Sequence, residues 1–223
     1  MTQVAVASYN SAGQLTSSTD STYDGTGALT STSSTMVAYD SKGNEVALSS
    51  AFDFDGDGAV DARQDVTLEY NKSGQPTHIV TLSYLHGSST PSSRSDEQLG
   101  YDSKGRMTTT HFAFDTDANG TVDVTENETI TYDGAGRRVR DVTQQDSNAD
   151  GVPEFTSTTN FTYDDKGRPA SIVTFSDALT GPDQRIVVTY TYPSKTTVVI
   201  TTTFDLNDDG VIDENYTLTR TVV

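Results

Sequence analysis

Apolar and polar residues alternate one by one along most of this chain, and short clusters of Asp, Asn and Gly interrupt the alternation at regular intervals. Val60, Ala62, Val66, Leu68 and Tyr70 share one parity, while Asp61, Arg63, Asp65, Thr67 and Glu69 take the other. Val122, Val124, Ile130 and Tyr132 oppose Asp123, Thr125, Asn127, Thr129 and Thr131. Ile186, Val188, Tyr190 and Tyr192 oppose Thr189 and Thr191. A period of two is the mark of a strand with one buried face. β-branched residues are dense and no segment has a 3.6-residue period, so no helix is expected. The pattern predicts an all-β antiparallel meander of tandem hairpins, with about 14 strands on a count of the turns.

The interruptions are of two kinds. The first is Tyr-Asp/Asn-x-x-Gly, at Tyr9–Gly13, Tyr23–Gly27, Tyr39–Gly43, Tyr70–Gly74, Tyr101–Gly105, Tyr132–Gly136 and Tyr163–Gly167. From Tyr39 to Tyr163 the step is 31 residues each time, and Tyr192 follows after 29. Asp or Asn in the first turn position bonds the backbone ahead of it, and Gly supplies the positive φ that follows. That is a type I turn closed by a bulge. Each Tyr ends an apolar face, so successive rings are expected to stack in a row. The chain reads as one repeat domain over 1–223: irregular repeats over 1–38, regular ones over 39–191 and a C-terminal hairpin over 192–223.

The extended form Tyr-Asp-x-x-Gly-Arg, at Tyr101–Arg106, Tyr132–Arg137 and Tyr163–Arg168, resembles the YD repeats of bacterial wall-associated, Rhs and toxin-shell proteins. The resemblance implies tandem hairpins winding into a spiral sheet or shell on a secreted bacterial polypeptide. This chain differs from the family in its longer period and in an acidic loop at many alternate turns.

Those acidic loops are the second kind of interruption. Asp53-Phe-Asp55-Gly-Asp57-Gly58-Ala59-Val-Asp61 begins 14 residues after Tyr39. Asp115-Thr-Asp117-Ala-Asn119-Gly120-Thr121-Val-Asp123 and Asp146-Ser-Asn148-Ala-Asp150-Gly151-Val152-Pro-Glu154 stand 14 after Tyr101 and Tyr132. Asp205-Leu-Asn207-Asp-Asp209-Gly210-Val211-Ile-Asp213 stands 13 after Tyr192. The corresponding places after Tyr70 and Tyr163, His86–Pro91 and Asp177–Asp183, lack the pattern. Oxygen side chains at positions 1, 3 and 5 of a tight loop converge on one point. Gly at position 6 permits the bend, the position 7 carbonyl (Ala59, Thr121, Val152, Val211) faces inward, and an acid at position 9 closes the set. Converging carboxylates repel one another unless a cation lies between them. A hard cation with six to eight oxygen ligands, Ca²⁺, fits this set better than Mg²⁺, which keeps its own waters. The loops resemble those of EF-hands, and more closely those of FG-GAP and integrin-type blades or thrombospondin type 3 repeats, which carry calcium.

Composition sharpens the picture. Formal charge is −18 from 32 acidic and 14 basic residues, which repels nucleic acid and anionic membranes. About four Ca²⁺ ions would offset 8 of those 18 charges. Cys and Trp are absent and only 33% of residues are hydrophobic, so neither disulfides nor a thick core holds the fold. A thin twisted or spiral sheet, a flattened barrel or a sandwich is expected, with ions stapling hairpin ends in place of a core. No apolar run is long enough for a membrane helix, and Met1–Tyr9 has neither the basic nor the apolar region of a leader.

Catalysis is not expected. His78, His86 and His111 lie in different repeats without a Ser or Cys partner, and His78 shares the parity of Val80 and Leu82 as a packed imidazole. The reading favoured is an extracellular or cell-surface structural or adhesive module. Its edges near Gln3–Tyr9 and Tyr216–Val223 are little protected and suited to pairing with copies of the chain into an oligomer or fibre. The alternative is a module that binds surface carbohydrate or ice on Thr-x-Thr rows (Thr108/Thr110, Thr129/Thr131, Thr189/Thr191, Thr201/Thr203, Thr217/Thr219), or a segment of a YD-repeat shell.

Overall fold

The computed structural model describes residues 1–221, and among them there are fifteen strands and no helix. The strands are β1 (Thr2–Tyr9), β2 (Leu15–Tyr23), β3 (Leu29–Tyr39), β4 (Glu45–Asp53) and β5 (Ala62–Tyr70). They continue as β6 (Pro76–Leu85), β7 (Ser93–Tyr101), β8 (Met107–Asp115), β9 (Val124–Tyr132) and β10 (Arg138–Asp146). The last are β11 (Phe155–Tyr163), β12 (Pro169–Ala178), β13 (Gln184–Thr191), β14 (Thr197–Asp205) and β15 (Glu214–Thr221). All lie in one sheet in sequence order, and the sheet is open: β1 and β15 do not pair. Among the described residues the sheet does not close into the barrel that was one expectation. The expected count of 14 falls one short because fourteen connections join fifteen strands. Val222 and Val223, the end of the expected C-terminal edge, lie outside the described residues.

The chain divides into two compact units, residues 1–99 with 112–123, and residues 100–111 with everything from Val124 onward. Within each unit, connections alternate between the two ends of the strands, as a meander requires. The Tyr-Asp turns have the geometry their sequence dictates. At Asp40, the backbone N–H bonds Asn44 O (2.9 Å) and Gly43 N–H bonds Asp40 O (3.1 Å). The Asp40 Oδ1 accepts from Lys42 N–H (2.8 Å) and Asn44 N–H (2.9 Å). The register shifts between Ala38 and Tyr39, as it does at Tyr70 and Tyr163, which is the bulge the motif predicts.

Side-chain burial is sparse. Among the described residues only two apolar side chains are buried, Tyr84 (8% exposed) and Ile130 (4%). Tyr84 lies directly opposite Arg63 on β5, so it belongs to the face expected to be polar. Arg63 lies 3.9 Å over its ring and also pairs with Asp65, which accepts a 2.6 Å bond from Ser49. A charged pair on an aromatic ring thus substitutes for apolar packing on that face.

The expected row of stacked tyrosines is not formed. Equivalent tyrosines are two strands apart, about 9–10 Å, which is beyond ring-to-ring contact. Arginine fills the interval in the second unit: Arg106 lies over Tyr132 at 4.3 Å, Arg137 over Tyr163 at 4.4 Å and Arg168 over Tyr192 at 3.7 Å. Each guanidinium is held from below by its own turn aspartate, Asp102, Asp133 or Asp164, at 2.6–2.7 Å. Each tyrosine hydroxyl donates back to a carbonyl of the preceding repeat, Met107, Arg138 or Pro169, at 2.8–2.9 Å. Tyr39 does the same to Leu15 in the first unit. The result is a ladder of cation, ring and carbonyl along the turn ends.

Candidate metal centres

The four acidic loops link β4 to β5, β8 to β9, β10 to β11 and β14 to β15, at the ends opposite the regular Tyr-Asp turns. Their position 1 aspartates end the incoming strands and are the most buried polar residues described: Asp53 7% exposed, Asp115 5%, Asp146 5% and Asp205 2%. These four carboxylates therefore stand with Ile130 and Tyr84 among the least exposed side chains described.

The four loops repeat one hydrogen-bond scheme. The position 1 carboxylate accepts from the position 6 glycine N–H in every case, from Gly58 (2.9 Å), Gly120 (2.7 Å), Gly151 (2.7 Å) and Gly210 (2.9 Å). Its other oxygen accepts from position 4 in the first loop and position 5 in the rest. Position 3 accepts from the position 5 N–H, and position 5 accepts from the N–H of Ala59, Thr121, Val152 or Val211 at 2.7–2.8 Å. The position 9 acid reaches back to the position 2 N–H: Asp61 to Phe54, Asp123 to Thr116, Glu154 to Ser147 and Asp213 to Leu206, at 2.6–2.7 Å. Each carboxylate is aimed by backbone donors, and the position 9 bond uses only one of its two oxygens.

Backbone donors also hold the charge. Desolvation pushes the Asp53 carboxyl up, but the N–H groups of Gly56 and Gly58 outweigh it and leave the group below the usual carboxylate range. The Thr116 hydroxyl and N–H do the same for Asp123. These acids remain anionic at neutral pH.

Three loops bring a trio of ligand oxygens within 4.8 Å of one another: Asp53, Asp55 and Asp61; Asp115, Asp117 and Asp123; Asp146, Asp150 and Glu154. Asp57 of the first loop is outside its trio, and the amides of Asn119 and Asn148 stand at the remaining odd positions of the other two. Asp205, Asp209 and Asp213 keep the same hydrogen bonds without forming such a trio. The donor set is oxygen throughout, carboxylate and amide, with no sulfur or imidazole. That is a hard-cation set.

Two features were outside the sequence pattern. Position 4 is left-handed in every loop, at Gly56 (φ 77°), Ala118 (54°), Ala149 (53°) and Asp208 (48°), although only the first is glycine. The patternless connections also brace their neighbours: His86 N–H donates to Asp61 O (2.6 Å) and Leu179 N–H to Glu154 O (2.7 Å). Both fix the residue that carries the closing acid.

The other candidate groups are dispersed. His78 Nε2 is 2.9 Å from Asp96, with Glu69 at 3.8 Å from the other ring nitrogen, and His111 pairs with Asn127 at 2.7 Å. Of the threonine rows, Thr189, Thr201 and Thr217 stand directly opposite one another across β13, β14 and β15. Thr129 and Thr131 instead face Val142 and Arg140.

No protein-family model matches the chain, and no curated protein matches it. Similar solved structures include TcdB2-TccC3-TEV, at 13% identity over 99% of this chain and a TM-score of 0.30. The chain spans 16% of that structure's length. A porin-like protein from Bacteroides uniformis ATCC 8492 aligns over 98% of this chain and 93% of its own, at 12% identity and a TM-score of 0.32.

Proposed function

We propose that this protein is a calcium-stapled structural repeat module of the cell exterior, in which ions bound at hairpin ends take the place of a hydrophobic core. One observation carries the reading. Three loops each gather three carboxylates within 4.8 Å around a nearly buried aspartate whose oxygens are already fixed by backbone donors. Anions so close in a partly desolvated site repel, and a divalent cation converts that repulsion into attraction.

The ion would be held by Asp53, Asp55 and Asp61, by Asp115, Asp117 and Asp123, and by Asp146, Asp150 and Glu154. Asp57, Asn119, Asn148 and the position 7 carbonyls complete the oxygen set, and Asp205, Asn207, Asp209 and Asp213 form a fourth, looser site. A bound Ca²⁺ supplies charge neutralisation and a cross-link between the strands entering and leaving the loop. Its role here is structural, and no catalytic step is assigned to it. Millimolar calcium outside cells matches sites of this open, surface kind, and that supports an extracellular setting.

Isothermal titration calorimetry of the chelator-stripped protein tests this. Calcium is expected to bind at three or more sites, more tightly than magnesium. Asp115→Asn with Asp123→Asn is expected to remove one site and leave the others. Absence of heat at millimolar calcium would refute the proposal.

A further inference from the structure

Every lysine of the chain, Lys42, Lys72, Lys104, Lys166 and Lys195, stands in a turn that follows a repeat tyrosine. All five are exposed, and among the described residues none enters an ion pair. Their surroundings differ between the two units. In the first, Asp40 and Glu45 flank Lys42, and Glu69 stands just before the turn of Lys72, so no positive charge is left over. In the second, the turn aspartates are already occupied: Asp102, Asp133 and Asp164 each hold an arginine at 2.6–2.7 Å. Arg138 is likewise held, by Asp141 and Glu128. That leaves Lys104, Arg140, Lys166 and Lys195 without ion pairs on this rim, against Asp165 as the one unpaired acid among the described turn residues.

These four cations form a row. Successive Tyr turns are two strands apart, about 9–10 Å, so Lys195 is one such interval from Lys166 and Lys104 is two intervals away on the other side. Arg140 lies between them, near the start of β10. Asp102 Oδ1 accepts from the Lys104 N–H (2.8 Å) and Asp164 Oδ1 from the Lys166 N–H (2.9 Å), which fixes the backbone beneath both ammonium groups. The acidic loops of the same unit stand at the other ends of the strands. Nine residues of β10 or β11 separate the two rims by about 30 Å. Exposed charges are screened beyond about 8 Å at physiological ionic strength, so the acidic loops do not cancel the row.

The chemistry of the row selects its ligand. Lysine is a compact point charge without the fork that reads a single phosphate or carboxylate, so it suits anions repeated along a polymer. Bases of a single-stranded nucleic acid need rings on which to stack. Here Tyr132, Tyr163 and Tyr192 are covered by Arg106, Arg137 and Arg168. A linear acidic polysaccharide, sulfated or carboxylated, needs no such ring. We infer that the second unit binds an anionic polysaccharide along its Tyr-turn rim, through Lys104, Arg140, Lys166 and Lys195. The inference rests on that rim and is independent of cation binding at the acidic loops.

Fluorescence anisotropy of labelled heparin and hyaluronate fragments, titrated with the whole chain near physiological ionic strength, tests it. Saturable binding of at least one is expected, and which one binds tells a sulfated source from a carboxylated one. K166E/K195E is expected to weaken binding at least about tenfold, and K166R/K195R to retain it. K42E/K72E makes the same change in net charge on the first unit and is expected to weaken binding less than about twofold. All six substitutions fall on exposed turns, so circular dichroism melts matching the parent are expected and identify any variant that fails to fold. Affinity is expected to agree within about twofold in calcium and in EGTA, because the loops lie beyond the screening distance. Binding of neither polysaccharide, or equal losses in the two glutamate pairs, would overturn the inference. So would an oligothymidylate of equal charge binding as tightly. Loss of binding in EGTA with the β-sheet signal intact would assign the polymer to cations in the loops and overturn it as well.

Discussion

Position 4 of the acidic loops offers one backbone conformation occupied by different residues, and it allows substitutions of opposite sign. Gly56 has φ 77°, and a Cβ placed there would sit 2.3 Å from Leu29 O, 2.6 Å from Leu29 C and 2.9 Å from Thr30 Cα. All three are backbone atoms and cannot rotate aside. Gly56→Ala therefore adds left-handed strain and overpacking, together about 2–4 kcal/mol of destabilisation. Ala118 and Ala149 already bear that strain at φ 54° and 53°. Replacing either with Gly relieves about 1–2 kcal/mol and gives back part of it as unfolded-chain entropy, for a net gain of about 0.5–1 kcal/mol. At about 2–4 °C per kcal/mol for a chain of this size, Gly56→Ala melts about 5–15 °C lower and Ala118→Gly about 1–4 °C higher. The assay is thermal unfolding followed by circular dichroism at fixed saturating calcium. None of these three side chains belongs to the proposed cation set, so any cation affinity is expected to stay nearly constant. A Gly56→Ala protein melting with the parent would deny the close approach to Leu29, and a destabilised Ala118→Gly would deny the left-handed turn.

Further outcomes follow from the packing and the turns. Ile130→Ala, at one of the two most buried apolar sites, is expected to cost about 2–4 kcal/mol in urea unfolding, against less than about 0.5 kcal/mol for Leu179→Ala at a 66% exposed position. Equal costs would mean that the face carrying Ile130 is not packed. Tyr163→Phe removes the 2.8 Å bond to Arg138 O and is expected to cost about 0.5–1 kcal/mol, read from the urea midpoint. The backbone N–H groups of Arg106 and Arg137, with their guanidinium groups, hold Asp102 and Asp133 below the usual carboxylate range. A lowered folded value means that their stabilisation is complete above the unfolded value of 3.8 and is lost as pH falls through the lower folded value. Stability should therefore hold near pH 5 and drop below about pH 4, and Asp133→Asn should flatten that drop in pH-dependent melts.

Most of the architecture was legible because the 31-residue step and the two-residue alternation are both local signals. The Asp40 turn and the bulges at Tyr39, Tyr70 and Tyr163 follow from Asp, Asn and Gly chemistry within five residues. What lay between repeats was not legible. The ring-to-ring expectation ignored the two-strand interval, and Arg106, Arg137 and Arg168 occupy it as ring-capping cations. Parity assigned Arg63 and Asp65 to a solvent face, yet Tyr84, the cross-strand partner of Arg63, is buried there. In the acidic loops the odd-numbered oxygens and the position 6 glycine were readable from spacing. The left-handed Ala118, Ala149 and Asp208 were not, because the loop's hydrogen bonds impose that conformation against residue preference. Nor does any spacing rule show His86 and Leu179 bracing Asp61 and Glu154, contacts made by connections that carry no motif.

The central claim, that cations at the hairpin ends hold this thinly packed sheet together, is tested most directly by thermal unfolding in saturating calcium and again in excess EGTA. A site occupied at about a hundred times its dissociation constant adds about 2.7 kcal/mol, so three filled loops should raise the melting temperature by about 15–30 °C over the chelated protein. The same melting temperature in calcium and in EGTA, with the β-sheet signal unchanged, would contradict the account.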